Sequence, residues 1–193
     1  MTEVRPSVYF VGLRATGKTS IGRELAALLS VPFWDSDRAI EEATGRSAGA
    51  WLREDGVAAF RRIEAATIIE RLDERLLPQS MVMALGGGSL ENRTVRERLA
   101  TLRTSSGWLG VWLRAPCDVL VRRMATAGEA ARPRLTGLDP EGECRRLERT
   151  RGPILARFAD VVVDVATTET RARSPLELAR WLEVACGAAS VRR

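Results

Sequence analysis

Apolar and polar positions along this chain alternate between two periods. Val8-Tyr9-Phe10-Val11 is a continuous β-branched and aromatic run, the pattern of a strand buried on both faces. From Lys18 to Leu29 the period changes, with Ile21, Leu25, Leu28 and Leu29 on one stripe, which predicts an amphipathic helix. The exchange then repeats. Pro32–Asp35, Met81–Leu85, Trp108–Leu113 and Asp160–Val165 read as strands. Asp37–Thr44, Val57–Leu77, Arg93–Leu102, Cys117–Ala125, Glu141–Phe158 and Pro175–Ala185 read as helices. Short apolar strands separated by helices predict an α/β fold, a three-layer α/β/α arrangement on a five-stranded parallel sheet. Right-handed crossovers put helices on both faces and gather ligands at the carboxyl ends of the strands. No repeat, low-complexity segment or linker divides the chain, so residues 1–193 are expected to form a single domain. Residues 126–138 are poor in apolar periodicity but carry Gly, Pro and arginine, and form a candidate lid. Residues 187–193 read as a flexible tail.

Composition changes this picture mainly by exclusion. Apolar residues make up 45% and charged residues 28%, an ordinary balance for a soluble globular domain with a full core. No apolar run approaches the length that spans a bilayer, and Met1–Pro6 lacks the apolar centre of a signal peptide, so a cytoplasmic protein is expected. Cys117, Cys144 and Cys186 have no metal-like spacing and suit reduced thiols. The absence of histidine excludes imidazole acid–base chemistry and His–metal sites. The net charge of +5 would suggest nucleic acid, but the arginines are interleaved with glutamates and aromatics are only 5%. Solvated helix faces with i,i+4 pairs explain them better, and a basic surface also attracts small anions.

One basic residue departs from the rest. Lys18 is the only lysine, in a chain that otherwise uses arginine throughout. It lies in Gly12-Leu13-Arg14-Ala15-Thr16-Gly17-Lys18-Thr19, a G-x-x-x-x-G-K-[ST] phosphate-binding loop between a predicted strand and a predicted helix. The glycines let backbone N–H groups surround phosphate oxygens, and the helix adds its positive end. A compact ammonium reaches the β/γ-phosphates where a planar guanidinium would be too bulky. Gly12, Ala15, Thr16, Gly17, Lys18, Thr19 and Ser20 are therefore the candidate nucleotide site, with the Thr19 hydroxyl a candidate Mg²⁺ ligand.

Further constellations follow in order. Asp35 and Asp37 close the second strand candidate, where residues i and i+2 share a face, so both carboxylates are expected to project together with Ser36 pointing away. One could hold Mg²⁺ while the other takes a proton from an acceptor hydroxyl; alternatively Asp37 simply caps a helix. Gly86-Gly87-Gly88 ends the third strand candidate and offers close backbone approach and N–H donors, or else only a loose turn. On the helix carrying Phe60-Arg61-Arg62-Ile63-Glu64, Glu64 can hold the Arg61 guanidinium in one orientation, as suits a carboxylate ligand, or the two form one more surface pair. Arg123, Arg132 and Arg151 lie before, in and after the candidate lid. An arginine delivered by a mobile segment is a common electrostatic device in phosphoryl transfer.

Taken in order, GLRATGKTSIGRELA, DSDRAIEEATGRS, FRRIE, LGGGS, Arg132-Pro133 and TRGPIL resemble the shikimate kinase family of P-loop, nucleoside-monophosphate-kinase-like enzymes, over Val8 to about Arg180. The resemblance implies Mg-ATP-dependent phosphorylation of the 3-hydroxyl of shikimate by a monomer, with no nucleic-acid or membrane partner. It implies that Lys18 and Thr19 serve the phosphates and Mg²⁺, that Asp35 holds the metal, and that Asp37 binds ring hydroxyls and acts as base. It further implies that Arg61, Arg151 and the Gly86–Gly88 loop hold the substrate, chiefly its carboxylate, and that residues 37–62 form a substrate-binding region. Arg132 would close over the phosphates and Arg123 would lie beside the adenine. Val57, Arg134 and Leu155 depart from the family pattern. A kinase of a related cyclic polyol acid would keep the same constellation. A nucleotide-binding regulatory module would not need Asp37, Arg61 and Arg151 to converge.

Overall fold

The computed structural model of the protein describes residues 7–73, 77–127 and 133–166, together with positions 180, 182 and 184. Its strands are β1 (Val8–Val11), β2 (Phe33–Asp35), β3 (Val82–Ala84), β4 (Leu109–Arg114) and β5 (Val161–Asp164), all parallel, in the order β2-β3-β1-β4-β5. The helices are α1 (Lys18–Leu29), α2 (Ser36–Thr44), α3 (Ala48–Glu54), α4 (Gly56–Arg71), α5 (Arg93–Ser105), α6 (Cys117–Ala127) and α7 (Pro140–Arg157), with a 3₁₀ turn at Ser89–Glu91. Helices cover both faces of the sheet, as a parallel sheet requires.

Burial explains the strand order. All four residues of β1 are buried, and β1 is the central strand between β3 and β4. β5 is an edge strand, and its Val162 is 51% exposed. The stripe foreseen on α1 is the face that packs on the sheet through Ile21, Leu25 and Leu29, with Ala26 added. The buried Tyr9 hydroxyl donates to the Phe158 carbonyl at 2.5 Å, joining the central strand to the end of α7.

The topology fixes where a ligand can sit. From β1 the chain crosses to β2 at one edge, and from β3 it crosses over β1 to β4 on the other side. The connections therefore diverge between β1 and β3, and a crevice opens at the carboxyl ends of these strands. The parallel register aligns Asp35 with Ala84 and Ala84 with Phe10. The phosphate loop, the end of β2 and the glycine run thus leave the sheet side by side.

Several expectations need correction. The predicted helix Val57–Leu77 ends at Arg71, and a separate helix, α3, precedes it. Ser47 caps α3 by accepting from Ala50 N–H, and Gly56, at a φ of +80°, permits the sharp join to α4. α6 continues to Ala127, so the first residues of the expected lid 126–138 are helical; positions 128–132, including Arg132, lie outside the described residues. Most of the predicted helix Pro175–Ala185 also lies outside them, although Arg180, Leu182 and Val184 are helical and Leu182 is fully buried. The tail 187–193 and Cys186 lie outside as well. Cys117 and Cys144 are free thiols. Among the described residues no helix is long and apolar enough to cross a membrane.

Candidate active site

The site begins at the loop between β1 and α1. Gly17 caps α1 in the left-handed region at a φ of +91°, which a glycine adopts without strain. Ala15 also has positive φ, and Thr16 ties the loop internally by donating to Leu13 O at 2.9 Å. The Lys18 ammonium folds over this loop and donates to the Gly12 and Leu13 carbonyls at 2.9 Å each. The single lysine is therefore poised above the phosphate cradle, next to the first residues of α1.

At the end of β2, Asp35 divides its carboxylate. Oδ2 accepts from the Thr19 hydroxyl at 2.7 Å, and Oδ1 accepts from the backbone N–H groups of Asp37 and Arg38 at the start of α2. Asp35 is thus the helix cap. This corrects the expectation of two carboxylates sharing a strand face, because the strand ends at Asp35 and Asp37 belongs to the first turn of α2. Ser36 does not point away either. It is fully buried, and its hydroxyl accepts from Gly86 N–H at 2.9 Å. Thr19 and Asp35 form a hard oxygen pair at the loop, a donor set that fits Mg²⁺, which takes one or two protein oxygens and completes its shell with water and phosphate.

The cleft of about 210 Å³ beside the loop is lined by Ala15, Gly17, Lys18, Thr19 and Ser20 on one wall, and by Asp35 and Asp37 on its floor. Arg61, Gly86, Gly87 and Arg151 form the opposite wall. Asp37 has its pKa raised to about 6. Loss of hydration between the cleft walls is the main cause, the carboxylates of Asp35 and Glu64 add to it, and Lys18 and Arg61 pull it back. The side chain still reaches water through the mouth of the cleft, so only part of this shift acts on stability.

Glycines at the end of β3 make room for charged side chains. A Cβ on Gly86 would collide with Glu64 Oε1, and one on Gly88 would collide with the Arg61 guanidinium. Glu64, 1% exposed, pairs with Arg61 and accepts from the Ser89 hydroxyl at 2.8 Å. The bracing of Arg61 by Glu64 is therefore a buried contact rather than a surface pair. Gly86 spends its N–H on Ser36, so it shapes the wall and does not offer that donor to a ligand. Gly87 packs against the backbone of the phosphate loop, with its Cβ position 3.4 Å from Arg14 N and Gly12 O. Arg151, 5% exposed, comes from α7 to stand beside Arg61. Its NH1 is buried without a hydrogen-bond partner.

Among the described residues, four predicted ones lie apart from the cleft wall, and two of them, Gly12 and Thr16, belong to the body of the phosphate loop. Gly88 positions the arginines from behind. Arg123 bridges the outer side of the loop, donating to Ala15 O at 3.4 Å and to Val165 O at 3.0 Å. The structure also reveals contributors not singled out in the sequence, four of them inside the expected substrate-binding region 37–62. α3 and the start of α4 supply Ala48, Gly49, Leu52 and Phe60 to the cleft. Buried Glu143 of α7 accepts from Leu135 N–H at 2.7 Å and Thr136 N–H at 2.8 Å, and stands 3.6 Å from the Arg14 guanidinium. It links the phosphate loop to the last part of the candidate lid. The only local signal for α3 was Ser47 as a cap; Glu143 had none, because its partners lie in other segments.

A parallel sheet with a phosphate loop at its switch point, facing an acidic floor and an arginine wall, defines a P-loop kinase of small molecules. The family model described as shikimate kinase matches residues 14–180. A shikimate kinase of Corynebacterium glutamicum is 40% identical over 154 residues, covering 80% of this chain and 83% of the relative. One from Mycobacterium avium is 37% identical over 177 residues, covering 92% and 91%. The solved shikimate kinase of Acinetobacter baumannii, in complex with shikimate, superposes with a TM-score of 0.79 at 28% identity, covering 96% of each chain. The chain belongs to the shikimate kinase family.

Proposed function

We propose that this protein transfers the γ-phosphoryl group of ATP to the 3-hydroxyl of shikimate, with Asp37 as the base and Arg61 and Arg151 as the clamp for the acceptor's carboxylate. The observation that carries the assignment of roles is that one cleft contains the phosphate-loop lysine, a carboxylate with a raised pKa and two arginines, Arg151 buried and Arg61 partly so. Arg151 keeps a buried NH1 without a hydrogen-bond partner, which a carboxylate on the acceptor can satisfy and a hydroxyl fills less well.

In the step itself, the acceptor oxygen bonds to the γ-phosphorus as the bond from phosphorus to the bridging oxygen of ADP breaks. The hydroxyl proton passes to Asp37, which is ionised at neutral pH because its pKa is near 6 and basic enough to accept it for the same reason. Lys18 supplies positive charge to the phosphate oxygens from its place above the loop. Thr19 and Asp35 are the oxygens that would hold Mg²⁺, which when bound neutralises charge on the β- and γ-phosphates. Arg61 and Arg151 fix the ring so that one hydroxyl faces the loop. In this reading Arg132 closes the lid over the phosphates, and the enzyme works as a monomer in the cytoplasm.

The test is coupled ADP release with and without shikimate. ADP release that depends on shikimate supports the assignment. Equal rates in its absence point to a nucleotide hydrolase or sensor and overturn it.

A further inference from the structure

Behind the arginine wall stands a carboxylate that the reaction does not use. Glu91 ends the 3₁₀ turn that follows the glycine run. Its Oε1 accepts from Arg151 Nε at 2.8 Å, and its Oε2 lies 3.6 Å from Arg61 Nε. The environments of the partners differ sharply: the Arg151 side chain is 6% exposed and the Glu91 side chain 42%.

Counting charge in this cluster is informative. Arg61 and Arg151 face Glu64 and Glu91, so the arginine wall is neutral before any acceptor arrives. An arginine as buried as Arg151 needs a counter-charge, and Glu91 is the hydrogen-bonding carboxylate it has. A substrate carboxylate entering this arrangement would place three carboxylates against two guanidinium groups, with Asp37 close by. The least costly relaxation is for Glu91 to leave. It sits on a short turn at the surface and regains water when it moves, whereas Arg151 cannot follow it out and Glu64 is locked by Ser89.

We propose that Glu91 is a resident counter-ion of the acceptor clamp, balancing with Glu64 the charges of Arg61 and Arg151 and keeping them in place in the free enzyme, and yielding Arg151 to the acceptor's carboxylate. It rests on the reading of Arg61 and Arg151 as that clamp. Glu91 is then a positioning residue that sets affinity and specificity. Part of the attraction between arginine and substrate is spent on displacing an internal carboxylate, so weakly bound carboxylic acids are kept out.

The test is Glu91→Gln, which keeps size and removes charge. The KM for shikimate is expected to fall about fivefold, the scale of a partly exposed ion pair released from competition, with a smaller change in kcat. The KM for an analogue lacking the carboxylate should not fall. In plain buffer the variant should melt below the parent, and acetate should raise the melting temperature of the variant but not of the parent, because acetate replaces the lost counter-ion. An unchanged or raised KM for shikimate would mean that Glu91 only braces the arginines, and would overturn the proposal. If Glu91→Gln does not fold alone, recovery of folded protein in acetate or shikimate supports it, and failure to recover overturns it. The parent's own preference for shikimate over the neutral analogue separates the two levels. Without that preference the clamp reading itself falls; with it, a Glu91→Gln enzyme that binds shikimate no more tightly sinks the counter-ion role alone.

Discussion

At the scale of single residues, Asp37 carries the sharpest expectations. Its folded-state pKa is raised from 3.8 to about 6, so kcat/KM for shikimate should fall as pH drops through about 6, where the base becomes protonated. The stability effect has the opposite sense. A carboxyl that binds its proton more tightly when folded contributes stability below about pH 4 and loses it as pH rises through 6. Asp37→Asn should therefore melt a few degrees higher than the parent at pH 7 while kcat drops by about 10²- to 10⁴-fold. A pH–rate profile and thermal scans of both proteins check this, and a variant with lower activity and a lower melting temperature would contradict it. Lys18→Met should cost about 10²- to 10³-fold in kcat with the fold intact by circular dichroism. The place of Lys18 in the phosphate loop was legible from sequence because its motif is local, and so was the pairing of Arg61 with Glu64, one helical turn apart. Asp35 and Asp37 were legible as a pair but not in their geometry. The helix starts one residue after Asp35, and period-two reasoning fails as soon as the backbone leaves the strand.

At the scale of elements, every strand was foreseen to within two residues at either end, because each is a short, mostly apolar run, whether buried like β1 and β3 or at an edge like β5. α3 was missed for the converse reason. Its seven residues are too few to show a period, and its partner is α4 rather than the sheet. The residues linking elements were also hidden. Glu143 sits on an otherwise charged helix, and only the folded chain shows that it accepts two backbone N–H bonds from Leu135 and Thr136 while facing Arg14 of the phosphate loop. This ties the position of α7 to both the nucleotide loop and the root of the lid. Glu143→Gln should therefore lower kcat/KM for ATP about tenfold, the effect of weakening a charge-assisted contact, with a smaller change for shikimate. Steady-state kinetics at varied ATP decide it. A lower melting temperature with unchanged ATP kinetics would reduce Glu143 to a packing role.

At the scale of the whole molecule, the order β2-β3-β1-β4-β5 brings together segments as distant in sequence as Gly17, Gly87 and Arg151. Alternation of strands and helices predicts a parallel sheet, but it does not specify which strand is central; the pairing of β1 with both β3 and β4 does. Tyr9 shows how tightly that centre is joined to the rest. Tyr9→Phe removes the bond to the Phe158 carbonyl and should cost about 1–2 kcal/mol by denaturant titration, with kcat/KM unaffected. The divided carboxylate of Asp35 has a consequence for how the two substrates communicate. One oxygen faces the nucleotide side through Thr19, and the other holds the first turn of the helix that carries Asp37. Charge arriving at the first oxygen must therefore be felt at the second, so ATP and shikimate should bind with positive synergy, each tightening the other by the same factor. Calorimetric titration of shikimate with and without a non-hydrolysable ATP analogue would measure that factor, and in Asp35→Asn it should shrink towards one.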